Sequence, residues 1–182
     1  MAGRYCDYKN QLACLRACAK LGVPVTFAGF ADMGPDPWGY RDKLEAEAKG
    51  HDCEILPRLT GEEVWQQYDR AWVHVNCSRF EPFGQVTLDA LALGCNVVHT
   101  RESWAAEEFG RVGSLCDPGD VESVAAAVGV ELDRPRGWAD SRPLTWVRAA
   151  ASLLPIYEEA MASPCPDTAG SRFRGDATRG AS

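Results

Sequence analysis

The 182 residues, 46% of them apolar and 25% charged, suffice for the core of one ordinary domain. A net charge of −7 argues against a general nucleic-acid binder, which needs a basic face, yet a few placed cations still serve a small phosphorylated ligand. No run approaches the roughly 18 apolar residues of a membrane span, and the start Met1-Ala2-Gly3-Arg4-Tyr5 lacks the apolar stretch of a secretory leader.

Short apolar runs alternate with longer amphipathic stretches along the chain, the pattern of a parallel sheet with crossover helices. Lys9 to Leu21 places Leu12, Leu15, Cys18 and Ala19 on one face and predicts a helix closed by Gly22. Val23 to Gly29 reads as a strand, Phe30 to Gly39 as a Gly/Pro-rich loop, Tyr40 to Lys49 as a polar helix and Cys53 to Leu56 as a short strand. Thr60 and Glu63 form a capping box that opens a helix running to about Asp69. Strands follow at Trp72–Asn76, Asn96–His99 and Val112–Cys116, with a helix from Gly84 to Leu93 between the first two. Asp117-Pro118-Gly119-Asp120 turns the chain into a helix over Val121–Val128, and a last helix covers Pro143 to Met161. Residues 1–161 are thus read as one domain. From Ala162 to Ser182 few apolar residues remain, so a disordered tail is expected. Only Met1 and Ala2 precede Gly3 where a doubly wound sheet has a full apolar strand, so the first strand is short or missing.

Eight cysteines contain no C-x-x-C pair, and none of the three histidines has zinc-finger spacing to a cysteine pair. Most lie in apolar runs and are read as reduced, buried thiols of a cytoplasmic protein. His51, His74 and His99 receive structural or solvated roles, and no metal site is expected.

The chemistry concentrates in Ser78-Arg79-Phe80-Glu81-Pro82-Phe83-Gly84-Gln85-Val86-Thr87-Leu88-Asp89. It joins a predicted strand to a predicted helix, so it lies at a strand's carboxyl end, where open α/β sheets bind ligands. Gly84 permits close backbone approach, and the free amides of the helix start form an anion seat. Glu81 and Asp89 accept hydrogen bonds from sugar hydroxyls. A ligand with a phosphate centre and a hydroxyl-rich group at each end fits that set.

This string resembles the E-P-F-G segment and Glu-x7-Glu motif of retaining GT-B glycosyltransferases, especially family 4, with Asp89 in place of the second glutamate. Gly3-Arg4 and Lys9 resemble the family's G-R-x4-K segment. Gly94-Cys95-Asn96-Val97-Val98 is similar to its G-x-P-V-V, with Asn96 for proline, and Gly113 to Asp120 to its T-G-x-L-V-x-P-x-D. The likeness spans Gly3 to Val128. It implies a Rossmann-like parallel sheet with helices on both faces, the C-terminal half of a GT-B fold. It also implies a UDP-, GDP- or ADP-sugar donor and no cofactor. Arg4 and Lys9 would hold the leaving diphosphate, Glu81 the transferred sugar and Asp89 the ribose, with Gly3, Phe83, Gly84, Gln85 and Val86 around the donor. Glu107 matches a family acid or is a surface residue, because Ser103-Trp104 stands where the family shows a Gly-Gly pair.

In that family the acceptor is bound by a second, N-terminal domain. The sequence contains none, so a gene fragment or a split subunit with a separate acceptor domain is expected, and the isolated chain should transfer sugar poorly or not at all. The alternatives are a non-catalytic nucleotide-sugar-binding module and, less favoured, a GT-B epimerase. An NAD dehydrogenase is disfavoured because no G-x-G-x-x-G follows a strand.

Overall fold

The computed structural model describes residues 1–29, 39–139 and 146–162. Most of the predicted loop at 30–39, the first residues of the predicted last helix and the predicted tail beyond Ala162 lie outside the described residues. The chain divides into two compact units, Met1–Pro143 and Leu144–Ser182.

In the first unit helices and strands alternate: α1 (Gln11–Leu21), β1 (Val25–Phe27), α2 (Tyr40–Ala48), β2 (Cys53–Ile55), α3 (Gly61–Arg70) and β3 (Val73–Asn76) come first. There follow α4 (Gln85–Ala92), β4 (Asn96–Thr100), α5 (Ala106–Gly110), β5 (Ser114–Cys116) and α6 (Val121–Asp133). Among the described residues all pairings are parallel, as predicted, but the strands form two ladders rather than one: β1-β2 and β3-β4-β5. The short first strand exists as a stub. Met1 donates its amino group to the Thr26 carbonyl at 2.9 Å, Ala28 N–H donates to Met1 and Gly3 N–H to Ala28. The stub lies so close to β1 that a Cβ on Gly29 would stand 2.0 Å from the Gly3 oxygen.

Side chains alternate across the strands and helices cover both faces. On one face Val75 and Val98 join Leu15, Cys14 and Cys18 of α1 and Val124 and Val128 of α6 in the main core. On the other, His74 meets Tyr68 of α3, and His99 meets Thr87 of α4 and Phe109 of α5. The seven described cysteines are free thiols, most of them buried.

Helix ends follow local chemistry. The Thr60–Glu63 capping box forms in both directions, and Asp120 accepts from Glu122 N–H at 2.9 Å to start α6. The Arg136 guanidinium donates to the carbonyls of Tyr68, Asp69 and Leu93, tying the last turns of α3 and α4 together. Asn96, the residue standing where the resemblance expects proline, donates to Glu131 and Arg134 carbonyls and accepts from Gly137 N–H. Its side chain stitches β4 to the end of α6, a task proline cannot perform.

The helix predicted to stop at Val128 continues to Asp133. It passes through Gly129, around which a Cβ would meet nothing within 4 Å. The short α5 was not predicted, because five residues show no helical period. The second unit contains α7 (Trp146–Ala162), which runs through Pro155.

Candidate functional site

The site grows from the carboxyl ends of β3 and β4. Residues 3–10 carry the chain from the stub to α1 and are pinned at three points. Arg79 N–H donates to the Tyr8 carbonyl at 2.9 Å, and Asn10 Nδ2 donates to the carbonyls of Cys77 at 3.1 Å and Pro118 at 2.8 Å. Asn10 adopts φ 63°, ψ 36°, the left-handed conformation that asparagine tolerates better than most residues. Sequence reasoning missed it. An asparagine before an apolar helix suggests an N-cap, but its side chain makes no cap bond and works across the fold instead.

The pinned loop brings Lys9 onto Glu81: Lys9 Nζ donates to Glu81 Oε2 at 2.7 Å, with side-chain exposures of 22% and 10%. The same Oε2 receives Asn76 Nδ2 at 3.4 Å and Ser78 Oγ at 3.5 Å. Glu81 is fixed from the opposite side, since its N–H donates to the Glu102 carbonyl at 2.8 Å. Burial alone would raise the Glu81 carboxyl, but the Lys9 ammonium and the Asn76 amide outweigh it and hold it below the ordinary carboxylate range. Glu81 is therefore an ionised acceptor at neutral pH. Lys9 keeps further donor hydrogens beyond the one it gives Glu81, enough to reach an anion beside it.

Gly84 caps α4 with φ 90°, ψ 45° and sits directly over the His99 ring. Thr87 and Leu88 N–H groups return to the Gly84 carbonyl, as a first helical turn requires. The amides of Gln85 and Val86 precede those bonds and open the helix start to an anion. His99 is fully buried, shares a 3.1 Å hydrogen bond with Thr87 Oγ1 and lies 4.1 Å from the Phe109 ring centroid. Burial pushes it down to about 4, with Glu81 pulling up and Lys9 pushing down. A neutral imidazole therefore props the helix start. The sequence offered His99 only as a strand-end residue, and its position under Gly84 depends on contacts fifteen positions apart.

The structure thus brings Gly3, Lys9, Glu81 and Gly84 to one end of the sheet, with Lys9 methylenes stacked near the Gly3 backbone. Arg4 lies on the same loop, exposed, with its carbonyl held by Gln11 Nε2 at 2.6 Å. Phe83 and Gln85 are exposed and Val86 is half-buried. Asp89 lies on α4 one turn further along, exposed as a residue but with its carboxyl partly desolvated, which raises its pKa, and no hydrogen bond among the described residues ties it to Glu81. Glu107 is paired at 2.6 Å with Arg111, at 82% side-chain exposure. Trp104 is 82% exposed and meets Phe80 edge-on, so an aromatic rim stands beside the carboxylate.

A parallel sheet with helices on both faces, carrying a cation, a carboxylate and a glycine-opened helix at its strand ends, defines a Rossmann-like half-domain of the GT-B type. The chain belongs to the family described as glycosyl transferases group 1, whose model matches residues 1–133. It is 30% identical over 151 residues to a glycogen synthase of Mycobacterium tuberculosis, covering 75% of this chain and 35% of that protein. It is 31% identical over 105 residues to a sulfoquinovosyl transferase of Arabidopsis thaliana, covering 55% of this chain and 20% of that one. The chain therefore spans about a third or less of these curated relatives.

Among solved structures, a sucrose-phosphate synthase from Thermosynechococcus elongatus superposes with a TM-score of 0.70 at 21% identity, over 90% of this chain and 46% of that one. Anabaena HepE in complex with UDP and glucose gives 0.64 at 20% identity, over 89% and 48%. The C-terminal domain of a glycosyl transferase group 1 family protein from Francisella tularensis gives 0.63 at 19% identity, over 72% and 73%. These likenesses establish the fold. No described helix is long and apolar enough to cross a membrane.

Proposed function

We propose that this chain is the donor-binding half of a retaining, hexosyltransferase-like enzyme that takes a sugar from a UDP-, GDP- or ADP-sugar in the cytoplasm. One observation carries the reading: Lys9 and Glu81 lie 2.7 Å apart beside the Gly84 helix start. That arrangement offers a diphosphate two kinds of stabilisation, the Lys9 ammonium with Arg4 nearby and the fixed amides of Gln85 and Val86. Charge that develops on the diphosphate as the glycosidic bond breaks is met by groups already oriented, the most effective form of electrostatic catalysis. Glu81, ionised and fixed by Lys9, Asn76 and its own backbone, accepts hydrogen bonds from the transferred sugar. Asp89 would receive the ribose hydroxyls and Phe83 would border the donor. Glu107 would serve only after leaving Arg111. No metal enters the scheme. Membership of the family and the complex of HepE with UDP and glucose support the reading.

The acceptor would come on a separate domain or subunit. Calorimetric titration with UDP-, GDP- and ADP-glucose tests the donor site without needing it. One of the three should bind, and Lys9→Ala should weaken that binding about 10- to 100-fold, the loss of one charge-assisted hydrogen bond. Absence of heat for all three at millimolar concentration refutes the proposal. Binding that Lys9→Ala leaves untouched would favour a nucleotide module using other residues.

A further inference from the structure

A row of buried polar side chains lies beneath the start of α4. Asn76 and His99 are partners in the β3–β4 register, on one face of the sheet, and Thr87 in the first turn of α4 bonds to both. Asn76, Ser78, Thr87 and His99 are all buried, at a cost that only hydrogen bonding offsets. Asn76 Nδ2 donates to Glu81 Oε2 and to Thr87 Oγ1, both at 3.4 Å, and Thr87 Oγ1 lies 3.1 Å from His99 Nδ1.

The partners determine where each proton sits. Ser78 N–H can only donate, so the amide atom 3.4 Å from it is the oxygen of Asn76, which also receives Ser78 Oγ at 2.7 Å. The NH2 end of Asn76 therefore faces Glu81 and Thr87. Thr87 Oγ1 accepts from Asn76, which leaves its own hydrogen for His99 Nδ1. A neutral imidazole that accepts at Nδ1 carries its proton on Nε2. That Nε2 is buried and has no hydrogen-bond partner among the described residues. It lies under Gly84, where an added Cβ would stand 3.2 Å from it.

We propose that Asn76, Thr87 and His99 are positioning residues that form one proton-ordered relay, coupling the carboxylate that holds the sugar to the helix start that seats the diphosphate. Asn76 gives one hydrogen to each branch. In the first, Lys9, Asn76 and Ser78 converge on Glu81 Oε2, so Oε1 is the oxygen offered to a sugar hydroxyl. The second runs through Thr87 to His99 and ends in an N–H group below Gly84, adding a dipole to a helix start that already favours negative charge. A change in Thr87 or His99 therefore reaches the diphosphate, whereas a change in Asn76 reaches both halves of the donor. This inference rests on the donor reading of the site.

Nitrogen-15 NMR of the full chain examines the relay without ligand. At neutral pH His99 should be held as the Nε2–H tautomer, its signals assigned by their loss in His99→Gln. Thr87→Val, similar in shape but without the hydroxyl, should return His99 to a tautomer mixture. It should also weaken binding of UDP, GDP or ADP, whichever the wild type takes, about three- to tenfold. Thr87→Ser keeps the hydroxyl and should preserve both properties. Asn76→Leu should weaken the matching nucleotide sugar about threefold to tenfold more than the bare nucleotide, because it also frees Glu81. Finding wild-type His99 protonated at Nδ1 overturns the proposal, as does nucleotide binding that Thr87→Val leaves unchanged. Equal weakening of nucleotide and nucleotide sugar by Asn76→Leu overturns it as well, and does so even where Thr87→Val fails to fold. Absence of any nucleotide binding by the wild type at millimolar concentration refutes the donor reading, and the coupling with it.

Discussion

Gly84→Ala should destabilise the chain by about 2–4 kcal/mol and abolish donor binding together. Two independent penalties act at that position. The backbone holds φ 90°, which an L side chain adopts only at a cost of about 1–2 kcal/mol. A Cβ would also stand 2.4 Å from Cε1 of His99 and 3.2 Å from the Phe109 ring. His99 has little freedom to withdraw, being wedged between Thr87 and Phe109, so α4 must move, and the amides of Gln85 and Val86 move with it. Urea titration reads the stability loss, and calorimetry with the nucleotide sugar that the wild type binds reads the second effect. Gly61→Ala is the matched control, because Gly61 opens α3 in free space at an ordinary φ. It should change stability by less than about 1 kcal/mol. Equal effects at the two glycines would contradict the close packing of Gly84 on His99.

Acid should weaken the fold well before its carboxylates are neutralised. Burial lowers His99 from 6.5 to about 4 in the folded chain, while the unfolded chain retains the ordinary value. Between those values the unfolded state binds the extra proton, so stability is full above pH 6.5 and declines as pH falls toward 4. His99 alone accounts for about 2 kcal/mol of loss at pH 5. His74 acts in the same direction because its burial also lowers it. Glu81 adds to the loss only below the ordinary carboxylate range, since its pKa is lowered too, whereas Asp89, raised by burial, opposes it. Urea midpoints at pH 7 and pH 5 measure the decline, and His99→Gln should remove about 2 kcal/mol of the difference. A decline that His99→Gln leaves unchanged would mean that His99 is not the buried, neutral prop beneath α4.

What the sequence revealed was chiefly local. The Glu81–Gly84 loop, the Thr60 capping box and the parallel alternation all depend on neighbours within a few positions, and the structure forms each of them. The strand was read too long at Val23, because apolar character continues where pairing does not and β1 begins at Val25. The supports of the site were illegible for the opposite reason. Asn10 acts through carbonyls at Cys77 and Pro118, and His99 through Thr87 and Gly84, so their roles exist only once the chain is folded. Asp89 shows the same limit, since its spacing from Glu81 says nothing about which helix face it occupies.

The most direct measurement of the donor site is residue-resolved amide NMR during titration with UDP, GDP and ADP. One nucleotide should shift Gly3, Lys9, Gln85 and Val86 together and saturably. Shifts confined to other surfaces, or none at millimolar nucleotide, would contradict a diphosphate seat formed by the Lys9 loop and the start of α4.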